Sequence, residues 1–128
     1  MRMRWTVLAL VFALWQASSG EPFAGTWAGT YDGTGAGTFE MTLDQGKDGA
    51  ITGKVNVNGD GATYSADLKS VVFDGTKMTA KYDFPPDTSA EIVMTATFES
   101  ASAKGTWSLR PKGQPDELAS GGIAVTRK

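Results

Sequence analysis

From residue 23 onward the chain alternates apolar and polar positions. In Phe23-Ala24-Gly25-Thr26-Trp27-Ala28-Gly29-Thr30-Tyr31 one parity carries two large aromatics, a phenol and two glycines, and the other carries small residues. That is the period of a strand with one core face. Threonine extends the test, because in a half-buried strand it takes the solvent side while keeping the β-branched preference for extended backbone. Thr38 and Thr42 oppose Phe39, Met41 and Leu43; Thr52 opposes Ile51, Val55 and Val57; Thr63 opposes Tyr64 and Leu68. Thr79, Thr95, Thr97 and Thr106 stand in the same relation to Met78, Tyr82, Ile92, Met94, Phe98, Trp107 and Leu109. With Thr26, Thr30 and Thr126, eleven threonines fall on the polar parity, and no stretch past residue 22 has the spacing of an amphipathic helix.

Turn-forming residues separate these runs: Asp32-Gly33-Thr34-Gly35, Asp44 to Gly49, Asn58 to Gly61, Asp74-Gly75, Pro85-Pro86-Asp87, Ser100 to Ser102, and Pro111 to Ser120. Seven short connections predict eight strands paired as antiparallel neighbours. One register conflict stands, since Leu68 and Met78 share a parity that a two-residue turn at Asp74-Gly75 does not preserve. A three-residue loop through Thr76 or a bulge near Lys69 to Val71 would repair it. Closure into a barrel is the arrangement that leaves no exposed strand edge. The predicted fold is therefore all-β, a single antiparallel meander of about eight strands closed into a small barrel. Its interior would take Phe23, Trp27, Tyr31, Phe39, Met41, Leu43, Ile51, Val55, Tyr64, Leu68, Met78, Tyr82, Phe84, Ile92, Met94, Phe98, Trp107, Leu109, Ile123 and Val125. Gly25, Gly29, Gly53, Ala66, Ala80, Ala96 and Gly105 share that face, either as bending points or as the walls of a void.

Residues 1–20 belong to a different pattern. Arg2 and Arg4 precede an apolar run from Trp5 to Trp15, and Gln16-Ala17-Ser18-Ser19-Gly20 supplies a small-residue exit. This is the pattern of a secretory signal peptide, its apolar run well short of the roughly 20 residues a membrane helix needs. The expected organisation is a signal peptide over 1–20 and one barrel domain over 21–128, exported to the periplasm or the medium, with no membrane anchor. Without Arg2 and Arg4, ten basic residues face fourteen acidic ones, a formal charge of −4 with no basic cluster. Nucleic acid is not an expected partner. The chain holds no cysteine, so packing alone must stabilise it.

Histidine is absent as well, which removes histidine- and cysteine-based catalysis and histidine-ligated zinc. The carboxylates lie mainly in turns, with no inward pair to tune one another for acid and base work. The expectation is a non-enzymatic protein with no catalytic residue, no cofactor and no metal site. Asn56 to Asp67 has the oxygen spacing of a calcium loop, but its neutral first position, its terminal aspartate and its strand flanks fit a β-turn better.

Gly25-Thr26-Trp27 in the first strand and Thr126-Arg127 in the last resemble the calycin superfamily of lipocalins, fatty-acid-binding proteins and avidins. There a Gly-x-Trp opens the barrel and a basic residue of the last strand packs across the tryptophan. Thr38-Phe39 and Asp48-Gly49-Ala50-Ile51-Thr52-Gly53 add a likeness to the opening of bacterial avidins. The resemblance implies a closed end built from Gly25, Trp27 and Arg127. It also offers Arg127 an alternative part, as an anchor for a ligand carboxylate with Tyr31, Tyr64 or Tyr82 as hydrogen-bonding companions. Trp107 is either core or pocket wall. Two functions remain open: a binding module for an apolar or amphipathic small molecule, with Tyr31, Tyr64, Tyr82, Trp107 and Arg127 as candidate contacts; and an inhibitor or envelope accessory factor with a filled barrel. The second would meet a protein partner through its loops, particularly Asp32 to Gly37 and Pro111 to Ser120.

Overall fold

The computed structural model describes residues 23–59 and 62–128; the expected signal peptide over 1–20 lies outside them. Nine strands follow in order: β1 (Gly25–Tyr31), β2 (Gly37–Gln45), β3 (Ile51–Gly59), β4 (Ala62–Asp67), β5 (Ser70–Asp74), β6 (Lys77–Asp83), β7 (Ala90–Glu99), β8 (Ser102–Pro111) and β9 (Ala119–Arg127). They form one antiparallel sheet in the order β4-β3-β2-β1-β9-β8-β7-β6-β5, with no α-helix among the described residues. Chain neighbours pair except β4 and β5, which stand at the two edges of the sheet, and β9 returns to lie beside β1, with Trp27 opposite Arg127 and Tyr31 opposite Ile123.

The run expected as a single fourth strand is divided into β4 and β5, which raises the count from eight to nine. The division is a handover. Leu68 donates its N–H to the Gly53 carbonyl of β3 at 2.8 Å, and the next residue, Lys69, donates to the Lys81 carbonyl of β6 at 2.8 Å. Ala62 to Asp67 thus pairs with β3 and Ser70 to Asp74 with β6, so the two outer strands of the sheet are consecutive in the chain. The sheet curls into a half-barrel whose outer strands meet at this two-residue joint, with no ladder between β4 and β5, so the expected closure without strand edges is not complete. The joint also resolves the parity conflict. Past the joint the inward positions become Val71 and Phe73, opposite Ala80 and Met78, and a two-residue turn at Gly75-Thr76 then keeps register.

Side-chain burial follows the alternation. All twenty large side chains expected inside belong to the core or pack against it, joined by Val57, Val71 and Phe73, while none of the eleven threonines is buried. Burial is uneven along the barrel axis, with Trp27, Leu43 and Met78 at 0% exposure and Tyr31, Tyr64, Phe84, Trp107 and Leu109 only half-buried.

Candidate functional site

The two ends of the barrel differ. At the end where β1 begins, Trp27 is enclosed: its indole N–H donates to the Phe23 carbonyl at 3.0 Å, and Phe98 meets it edge-on at 4.7 Å between centroids. Phe23 and Phe73 stack at 4.1 Å beside them. The Arg127 guanidinium carbon sits 4.4 Å from the Trp27 ring centroid, and its Nη1 donates to the Ala24 carbonyl at 2.6 Å. Gly25, with φ of 129°, leaves the guanidinium room, because a Cβ there would stand 2.7 Å from Nη1. Four aromatics and one cation therefore plug this end.

At the other end the core stops short of filling the barrel. A cavity of about 210 Å³ opens there, walled by apolar side chains including Phe39, Val55, Val57, Ile92, Met94 and Ile123 and rimmed by the β1–β2 loop through Thr34, Gly35 and Ala36. Tyr31, Tyr64, Tyr82 and Trp107, four of the five residues singled out from the sequence as ligand contacts, line it. Arg127, the fifth, does not; it belongs to the plug over Trp27. Among the described residues, the cavity wall carries no Lys, Arg, Asp or Glu side chain. A ligand carboxylate would find no cation to pair with.

Each polar group at this end has a definite place. Tyr31 extends from the last position of β1 across the Gly37–Gly59 pair of β2 and β3; a Cβ on Gly59 would collide with the Tyr31 hydroxyl. Trp107 meets Tyr31 edge-on at 6.0 Å and donates its indole N–H to the Asp32 carbonyl at 2.9 Å, so it presents only its ring to the cavity. That bond ties the β1–β2 loop to β8, and others stitch the loop to β9. Asp32 donates its N–H to the Gly122 carbonyl at 3.0 Å, its carboxylate accepts from Gly122 N–H at 3.0 Å, and Thr34 Oγ1 accepts from Ser120 N–H at 3.1 Å. The rim of the cavity is fixed by the first and last strands together.

Tyr64 of β4 and Tyr82 of β6 face each other across the handover, where no ladder joins their strands, with hydroxyls 2.8 Å apart. Phe84 packs edge-on against Tyr64 at 5.8 Å. Burial pushes both phenols above their ordinary value, Tyr82 far above it, and the nearby Tyr31 phenol adds to both shifts. The pair is neutral over the whole physiological range. In the stretch with calcium-loop spacing, Asp60 and Gly61 lie outside the described residues, and Asn58 Oδ1 accepts from Thr63 Oγ1 at 3.2 Å across the turn.

The sequence marked the loop Asp32 to Gly37 only as a surface for a protein partner, and Phe84 only as core by its inward parity; nothing in Thr34-Gly35-Ala36 identified it as part of a cavity lining. No protein-family profile matches the chain, and no curated protein sequence does. Among solved structures, the crystal structure of Treponema pallidum Tp0751 (Pallilysin) is similar with a TM-score of 0.49 and 16% sequence identity, the alignment covering 96% of each chain.

Proposed function

We propose that this is an exported, non-enzymatic binding module that holds a small apolar molecule at the loop end of its barrel. The observation that supports it is the contrast between the ends: one is plugged by Phe23, Trp27, Phe73 and Phe98, and the other keeps about 210 Å³ walled by apolar side chains. An apolar space of about 150 Å³ is already enough to take up benzene, whereas pockets for drug-sized ligands begin at about 300 Å³. The guest is therefore of single-ring or short-chain size, smaller than a long fatty acid. Export rests on the leader pattern of residues 1–20.

The test is titration with toluene, a neutral single-ring probe followed through the NMR signals of cavity residues, combined with native mass spectrometry of protein from its own host. Saturable probe binding that is lost in Leu109→Trp, which fills the cavity, supports the reading. A bare mass together with no probe binding at millimolar concentration overturns it. In that case the loop-mediated interaction protein takes its place, with Leu118, 60% exposed in the β8–β9 connection, as its first candidate contact.

A further inference from the structure

The hydroxyl pair at the cavity wall says more about the guest than volume does. A phenol hydroxyl has one proton and two lone pairs. When Tyr64 and Tyr82 bond to one another at 2.8 Å, one of their two protons is used, and neither hydroxyl has another hydrogen-bond partner among the described residues. Bridging β4 and β6 needs only that one proton. The second is left beside a cavity that both side chains line, among walls that are otherwise mostly apolar. Trp107 cannot substitute, because its N–H is bound to Asp32; the Tyr31 hydroxyl lies against Gly37 and Gly59 and is left in place in the double variant that tests the pair.

We infer that the Tyr64–Tyr82 pair is a recognition element that donates a hydrogen bond to a neutral guest bearing one acceptor oxygen, such as a ketone, ester or ether, and that the cavity rejects carboxylates. This rests on the cavity being a binding site. Rejection follows from the wall, which places no cation against a buried anion; an unpaired carboxylate would lose its hydration without compensation. Arg127, the cation that could have served, is held over Trp27 at the opposite end. Burial keeps both phenols protonated, so the donor persists from acid to mildly alkaline solution.

Three probes of nearly equal shape separate the possibilities: α-methylstyrene with no acceptor, acetophenone with a neutral carbonyl oxygen, and benzoate with a carboxylate. Each is titrated into the protein and followed through the amide and methyl NMR signals of cavity residues. The expected result is binding of both neutral probes, with benzoate weaker than acetophenone by about tenfold or more. In the Tyr64→Phe/Tyr82→Phe double variant the ratio of acetophenone to α-methylstyrene affinity should fall by about five- to tenfold, the equivalent of one hydrogen bond. Using the ratio removes any general change in cavity shape. If none of the probes binds at millimolar concentration, the cavity is not a binding site and both readings fall. If the neutral probes bind but the ratio is unchanged in the double variant, the cavity reading stands and the tyrosine inference is overturned. Benzoate matching acetophenone on the unaltered protein overturns it too, a comparison that does not depend on the variant folding.

Discussion

Trp27 shows how much one position can settle. Its ring is fully buried, and its indole N–H, its edge contact with Phe98 and its face toward Arg127 are all occupied at once. Trp27→Ala would leave a void the rigid plug cannot fill, and the expected cost is about 3–5 kcal/mol. Arg127→Ala removes a cation–π contact and a hydrogen bond at an exposed position, and the expected cost is about 1–2 kcal/mol with the fold intact. Urea denaturation of both variants checks the order; equal midpoints for Trp27→Ala and the parent protein would show the plug to be mislocated. Both residues were legible in the sequence because each is chemically singular in its strand: a large indole between glycines, and an arginine closing an inward-alternating run. Phe73 was not legible. Its parity counts as outward when taken from Tyr64 and Leu68, and only the joint at Leu68–Lys69 turns it in to stack on Phe23.

The joint is the element on which closure depends. Leu68 is buried there, while Lys69 turns outward to Asp83 at 2.9 Å and Glu91 at 2.8 Å, and Lys112 reaches Asp83 at 3.2 Å. These ion pairs are largely exposed and add little. On the inner side the Tyr64–Tyr82 pair spans the same gap without a ladder, which makes closure sensitive to alkali. Both phenols are raised, first by burial, above the ordinary value of about 10 that they regain on unfolding. A group raised in this way contributes stability that is fully present below its unfolded value and is lost as pH rises through the folded one. The melting temperature should therefore fall as pH climbs past about 10, and Tyr82→Phe should flatten that fall. A Tyr82→Phe protein with an unchanged alkaline limb would place the effect elsewhere, for instance at Lys69, whose ammonium Asp83 and Glu91 hold above its usual range. The sequence exposed the tension at this joint as a parity conflict between Leu68 and Met78. It offered a bulge near Lys69 to Val71, beside the actual break, and a three-residue loop through Thr76, and could not choose between them because Lys69-Ser70 carries no glycine or proline to mark a break; the turn at Thr76 has two residues, Gly75-Thr76.

For the molecule as a whole, the decisive ladder is the one between its first and last strands. Asp32 and Gly122 are hydrogen-bonded across 90 positions, Arg127 and Ala24 across 103, and Lys128 adds an ion pair to Glu40 at 2.8 Å on the outer face. The remaining ladders are local hairpins, so β1–β9 pairing demands the longest loop closure in the fold and should limit the folding rate. A circular permutant tests this directly. Residue 128 is joined to residue 23 through a short glycine linker, and new ends are opened in the exposed β2–β3 loop, where Gly46 and Ala50 close a tight turn. The β1–β9 ladder then becomes a hairpin, and the long closure moves to β2 and β3. The β2–β3 ladder joins nine residue pairs against five for β1–β9, so the long closure in the permutant brings more native pairing at once. Stopped-flow refolding should be faster in the permutant, with the unfolding rate changed less, because loop entropy acts mainly on the approach to the transition state. Folding as slow as the parent's, at equal stability, would show that the transition state forms before β9 docks. The nucleus would then lie in the hairpins β6–β7–β8, and the barrel would close only afterwards.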